Sequence, residues 1–245
     1  MKNGILLRVG VDSTKSSGGW NAPCAKDGRF CYVPIRDYNH SPQGKMFDHT
    51  YDEFCPFVST LGQKWPETLT GACHLDPDFT HLTYGDQGSR ANRIGEFLST
   101  GDFIAFWAAL RLVDGPHAGE LVCSLIGLYT ISSIVKASDI GVLDCHRNAH
   151  TRYRDERDSS LVVFADPRKS GRLRRHIEIG KYRNGAQRVS RELLQTWGNL
   201  KKQNGELWDD GYLQLSGSPP IFSKPEKFLK WFDQKRPQLV HANNV

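Results

Sequence analysis

His74-Leu75-Asp76-Pro77-Asp78 places an imidazole and two carboxylates within one short segment. An imidazole changes charge near neutral pH and carboxylates hold protons or cations. The trio could therefore orient a substrate, bind a divalent ion or carry acid–base chemistry. Pro77 restricts the backbone between the two acids and so their relative placement. The plainer alternative makes Asp76 and Asp78 turn caps and His74 a strand-edge residue. Asp86, Arg90 and Arg93 follow closely and favour chemistry. A second loaded segment is Cys145-His146-Arg147-Asn148-Ala149-His150. Asn and Arg are residues that read base edges or grip phosphate, and His150 is a candidate general base, although a loop of satisfied polar groups explains the segment equally well.

Two further segments suit anions. Asp12-Ser13-Thr14-Lys15-Ser16-Ser17-Gly18-Gly19-Trp20 is a polar, Gly-rich loop after an apolar run. It lacks the G-x-x-x-x-G-K-[ST] spacing of a triphosphate loop, so nucleotide triphosphate hydrolysis is not supported. Asp166-Pro167-Arg168-Lys169-Ser170-Gly171-Arg172-Leu173-Arg174-Arg175 follows an apolar strand. At a turn, its donors and free N–H groups would form an anion site, with Arg168, Lys169, Ser170, Arg172, Arg174 and Arg175 as phosphate contacts. This segment belongs to a basic stretch from Arg147 to Arg191 that carries thirteen Arg and Lys against five carboxylates, a net +8. The whole chain is +5, so the charge is concentrated there. A localised Arg field points to a polyanion, nucleic acid first, with a solvated ion-paired face as the plain alternative. Trp20, Trp107 and Tyr129 are the aromatics best placed for stacking on bases, although aromatics in apolar strands are usually core.

These residues need a scaffold. The 245 residues, 38% hydrophobic and 24% charged, describe an ordinary folded protein with a buried core. No run approaches the roughly 20 apolar residues of a membrane span, and the N-terminal apolar run is too short for a signal peptide, so a cytoplasmic protein is expected. The six cysteines are scattered without C-x-x-C spacing, which predicts reduced, partly buried thiols and no zinc site built on them. No resident cofactor is expected.

Gly4 to Val11 reads as a buried strand and Phe30 to Ile35 as a second, ahead of a long irregular region from 36 to 70. Phe103 to Arg111 and Leu121 to Val135 read as a central hairpin, and Ser160 to Ala165 as a further strand. Ser190 caps a helix through Trp197, and Ser223-Lys224-Pro225-Glu226 looks like a capping box opening a last helix. The expected fold is α+β, one composite domain over 1–245 with a mixed, barrel-like sheet and C-terminal helices.

The order of several motifs resembles the nucleotide-modification-associated domain family of the third type. They are Arg8 with Asp12-Ser13, Gly18-Gly19, Asp27-Gly28, Pro34-Ile35, His74 to Asp78, Asn148-Ala149-His150, Asp166 to Ser170 and Phe228-Leu229-Lys230-Trp231. Val9-Gly10-Val11-Asp12 and Trp20 depart from the Lys-Gly-Phe-Asp and small-residue forms of that pattern. The resemblance implies a part in systems that modify DNA bases or recognise modified ones. Gly101 to Phe106 with Leu125 to Thr130 is similar to the barrel of PUA-like domains, which implies an antiparallel PUA-like core and a base pocket. From these follows a nucleic-acid-binding protein of a base-modification or phage-conflict system, DNA ahead of RNA. Arg8, Asp12, Ser13 and Asn148 would line its pocket. The alternative is a transferase or hydrolase acting on a nucleotide, with Asp76 and Asp78 as base or metal ligands and His74 or His150 assisting.

Overall fold

The computed structural model describes residues 2–14, 19–37, 49–152, 160–183, 185–202, 204–208, 211–213 and 219–245. The chain opens on β1 (Gly4–Arg8), followed by the short strands β2 (Pro23–Cys24), β3 (Ile35–Arg36) and β4 (His49–Thr50). Next come α1 (Cys55–Thr60), β5 (Ala72–His74), β6 (Thr83–Asp86) and α2 (Gly88–Phe97). The hairpin of β7 (Phe103–Leu112) and β8 (Leu121–Lys136) leads to α3 (Ala149–Arg152), β9 (Leu161–Ala165), β10 (Gly171–Arg183) and β11 (Ala186–Val189). The remainder comprises α4 (Arg191–Trp197), β12 (Leu200–Lys201), β13 (Tyr212–Leu213), β14 (Ile221–Phe222), α5 (Pro225–Gln234) and β15 (Leu239–Val240).

The main sheet runs β12-β14-β1-β7-β8-β10-β11-β13. It is mixed, with β1 parallel to β7 and the β7–β8 and β8–β10 ladders antiparallel. β8 is shared along its length. Its first part pairs with β10, while Ile131 to Lys136 pairs with β9, which in turn pairs with β6. The result is a mixed α+β fold with a sheet curled into a half-barrel and a few helices. β3, β5 and β4 form a separate small sheet. Among the described residues no helix is long and apolar enough to cross a membrane.

The uninterrupted apolar runs of β1 and β7 follow from burial on both faces. Ile5, Leu7, Ile104, Phe106 and Ala108 enter one core with Tyr32, Phe79, Tyr84 and Tyr129. Leu6, Phe103, Ala105 and Trp107 enter the other, covered by Trp197, Phe222, Phe228 and Trp231 from the C-terminal elements. Gly127 in β8 is required by close approach: a Cβ there would sit 2.4 Å from the Phe79 ring. Trp107 and Tyr129 are 1% and 0% exposed, so both are core residues and not stacking platforms. Trp20 packs on Trp65 with ring centroids 6.0 Å apart.

Several local expectations need correction. Phe30 to Ile35 is strand only at Ile35–Arg36, with an isolated bridge from Phe30 to Cys24. The region from 36 to 70 contains β4 and α1, its part from 38 to 48 lying outside the described residues. Ser190 does cap α4, its hydroxyl accepting from the Leu193 N–H at 3.3 Å, and left-handed Gly198 closes it. Ser223 caps nothing. Lys224 occupies the N-cap of α5, Pro225 takes the first turn, and the Ser223 hydroxyl is buried without a partner. The six cysteines form no disulfide, and burial pushes the Cys24, Cys31 and Cys123 thiols up to about 12.

Candidate functional site

β5 ends on His74, opposite Ile35 of β3, and the chain turns through a cis Asp76–Pro77 peptide before returning as β6. Reciprocal backbone bonds between Asp78 and Thr83, 2.9 and 3.1 Å, close this turn. Asp76 is thereby laid along β6, where the Gly85 N–H donates to both its oxygens at 2.9 and 3.1 Å. The third segment arrives from the start of α3. The Asn148 amide donates to Asp76 Oδ1 at 3.1 Å and to Thr83 Oγ1 at 3.2 Å, while its oxygen accepts the His150 N–H at 2.9 Å. His150 then lies with Nε2 3.2 Å from His74 Nε2 and 3.5 Å from Asp76 Oδ2. The two imidazoles meet edge to face with centroids 4.8 Å apart.

Burial works against a charged His150, but the hydrogen bond and charge of Asp76, with the charge of Asp86, outweigh it and raise its pKa above the usual value. Asp86 itself accepts from the Tyr84 hydroxyl and pairs with Arg90 of α2 at 2.5 Å. Asp37, just beyond β3, lies 3.7 Å from His74 Nδ1. The His74 and His150 side chains keep 23% and 11% of their surface exposed against 5% for Asp76, so the imidazoles are more open to solvent than the carboxylate. His74, Asp76 and His150 present one donor atom each, all within 4.8 Å, and can hold a metal ion.

The structure thus joins His74, Asp76, Asn148 and His150 and separates Asp78 from them. Asp78 is fully buried, accepting from His81 Nδ1 at 2.7 Å and Asn243 at 3.2 Å, with Arg152 at 3.5 Å. Burial tends to raise its pKa, yet His81 and Arg152 hold it below the usual carboxylate value. Asp78 is a knot in the fold beside the cluster. Arg8 and Asp12 pair with each other at 2.8 Å, and Arg8 lies over Trp107 at 5.3 Å. Arg8 thus faces the core that holds Trp107, whereas Tyr84, the chain neighbour of Gly85, enters the other core. Ser13 is exposed, and residues 15–18 of its loop lie outside the described residues.

The basic stretch divides in the same way. Arg168 and Lys169 are exposed at the β9–β10 turn, where Arg168 meets Asp166 at 3.3 Å. Arg174 and Arg175 are exposed on β10, and Arg175 donates to the Asp27 carbonyl. Ser170 is buried, its hydroxyl accepting from the Thr130 N–H at 2.9 Å. Arg172 is 0% exposed, lies 3.8 Å from the Phe30 ring centroid and donates to the Phe30 carbonyl at 2.7 Å; burial lowers its pKa to about 10. That places Ser170 and Arg172 inside, away from the surface cations. Arg154 and Arg157 lie outside the described residues. Further along, Lys181, Arg183, Arg188 and Arg191 line a cleft of about 790 Å³ with Glu178 and Glu192.

Gly85, Thr83 and Asp37 complete the cluster and were not singled out by the sequence. A Cβ at Gly85 would lie 2.4 Å from His150 Cδ2 and 2.5 Å from Asn148 Oδ1, so the glycine makes room for both. Its only sequence signal is a glycine within the strand-like Tyr84-Gly85-Asp86. Compared with known families, residues 3–219 match the model of nucleotide modification associated domain 3. No curated protein and no solved structure matches the chain.

Proposed function

The chain belongs to the nucleotide modification associated domain 3 family, and from that membership we propose that it takes a nucleotide, or a base turned out of DNA, at the cluster of His74, Asp76, Asn148 and His150. One observation carries this reading. Two separate segments deliver two partly exposed imidazoles to one buried carboxylate, and the supporting bonds come from Asn148 and from Gly85 on a third segment. Because both ends of the Asn148 amide are engaged within the protein, Asn148 is a positioning residue and the imidazole edges are what meets the ligand. The setting is a base-modification or phage-conflict system, with DNA ahead of RNA as the polymer. The half-barrel sheet is consistent with a PUA-like platform, an analogy of fold alone.

The phosphate backbone would be held by the exposed Arg168, Lys169, Arg174 and Arg175. Fluorescence anisotropy with plain and base-modified duplexes across a salt series tests both parts. Arg174→Ala with Arg175→Ala is expected to weaken binding to all sequences alike and to lower the logarithmic salt slope by roughly 2, about one unit per lost phosphate contact. Unchanged affinity and slope would remove these arginines from the interface. Discrimination between plain and modified DNA that survives in Asp76→Asn would remove the cluster.

A second reading, an enzyme acting on the bound nucleotide, is favoured by the line from Asp76 through His150 to His74, along which a proton can move. Turnover lost in Asp76→Asn while DNA affinity survives would select it.

A further inference from the structure

We propose that His74 Nε2, His150 Nε2 and the Asp76 carboxylate form a binding site for a divalent transition-metal ion of the zinc class, with a coordination position left for water or an oxygen of the ligand. The proposal rests on the nucleotide reading only for what fills that open position.

The first support is geometric. Two ring nitrogens face each other across 3.2 Å, and Asp76 Oδ2 lies 3.5 Å from one of them. With metal–ligand bonds of about 2.1 Å, these two separations correspond to angles of about 100° and about 113° at a shared ion, and the three donors, which span up to 4.8 Å, must draw in to about 3.4 Å for all of them to reach it. The second is the donor set. Two imidazoles and one carboxylate suit zinc and its neighbours, whereas magnesium and calcium prefer sites built from oxygen.

The third is the surrounding shell. Histidine ligands of metals commonly give their other nitrogen to a carboxylate, and Asp37 Oδ2 lies 3.7 Å from His74 Nδ1. The Asp76 carboxylate is fixed by the Gly85 N–H and the Asn148 amide, which preorganises the ligand without occupying every lone pair. Asp78 is excluded as a ligand because His81, Arg152 and Asn243 already surround it. His74 and His150 remain partly open to solvent, which leaves an entry path.

The test uses the full chain stripped with a chelator and titrated with Co²⁺ as a spectroscopic probe, then with Zn²⁺ and Mg²⁺ by calorimetry. The expected result is one Co²⁺ per chain with the intense visible bands of a low-coordinate ion, displaced by Zn²⁺ and not by Mg²⁺. His74→Gln and Asp76→Asn should each weaken Zn²⁺ binding by on the order of a hundredfold, and Asp37→Asn by roughly tenfold as an outer partner. Stripped wild-type protein that takes up neither Co²⁺ nor Zn²⁺ overturns the site. So does Zn²⁺ affinity unchanged in variants whose circular dichroism shows them folded. Nucleotide monophosphate binding is measured on the same stripped and loaded samples. Nucleotide bound without metal uptake leaves the proposed function standing and the metal site refuted. Metal bound without any nucleotide binding upholds the site and refutes the function.

Discussion

Gly85 is the residue on which the cluster turns, since its N–H holds both Asp76 oxygens and its missing side chain admits His150 and Asn148. An added methyl would lie 2.4 Å from His150 Cδ2 and 2.5 Å from Asn148 Oδ1, well inside van der Waals contact. Either the start of α3 moves outward or β6 loses its bond to Asp76. Gly85→Ala is therefore expected to fold with a stability loss of about 1–3 kcal/mol, the usual range for overpacking. Its ligand affinity should fall further than that loss explains. Thermal melts and anisotropy on the same preparation separate the two effects. A Gly85→Ala protein that is less stable but binds like wild type would show that the cluster geometry is not what the ligand reads.

At the scale of elements, β10 departs from β8 between Arg172 and Ile177 and is caught there by the loop ahead of Phe30. His176 makes the catch: its N–H donates to the Gly28 carbonyl at 2.9 Å, Nδ1 meets Ser124 Oγ at 2.9 Å and Nε2 meets the Ala25 carbonyl at 3.3 Å. Burial lowers its pKa from the ordinary 6.5, helped by the charge of Arg172 and opposed by the Ala25 carbonyl and the charge of Asp27. The unfolded chain thus binds a proton that the native one refuses as pH falls below about 6.5. Stability is unaffected above that value and declines below it, by at most about 1.4 kcal/mol per pH unit for one group. Urea melts at pH 7.5 and 5.5 should show this decline in wild type and a flatter profile in His176→Asn; parallel profiles would exclude His176 as the source. The same strand shows what the sequence could and could not reveal. β1, β7 and the first part of β8 announce themselves as apolar runs, and α4 by Ser190 and its Leu193, Leu194 and Trp197 stripe. β10 is written in Arg, His, Glu and Lys, so its charge hid its strand, and no sequence pattern marks the burial of Arg172 against Phe30. α2 was missed because Gly88 and Gly95 weaken its propensity and no side chain caps it. His74, Asp76, Asn148 and His150 were each legible by type, but the two imidazoles are 76 residues apart in sequence and only the β5–β6 turn and α3 bring them together.

Across the whole molecule, the chain's last residues return to the segments that carry the site. Asn244 mimics a strand partner for Tyr32, accepting from its N–H and donating to its carbonyl, both at 2.8 Å. Asn243 accepts the Phe79 N–H at 2.7 Å and donates to Asp78 Oδ1 and Thr80 Oγ1 at 3.2 and 3.1 Å. Since Phe79 packs on Tyr32 with centroids 5.4 Å apart, the two asparagines clasp one aromatic pair from both sides. The family match ends at residue 219, so this strap lies beyond it, as α5 does. Asn244→Ala would leave the buried Tyr32 N–H and C=O unsatisfied, at about 1–3 kcal/mol for each group, which predicts a loss of about 2–6 kcal/mol and a melting temperature lower by roughly 4–24 °C. Asn243→Ala acts closer to the site, because Asp78 loses one of its donors and Asp78 is bonded to Thr83 at the start of β6. Its signature should be faster amide exchange at Phe79 and Thr83 as well as lower stability, with ligand affinity reduced more than in Asn244→Ala. If both variants lose stability equally and neither changes exchange at Thr83, the strap supports the fold without reaching the cluster. A selective effect of Asn243→Ala on Thr83 would make the C-terminal tail part of what holds Asp76 against Gly85.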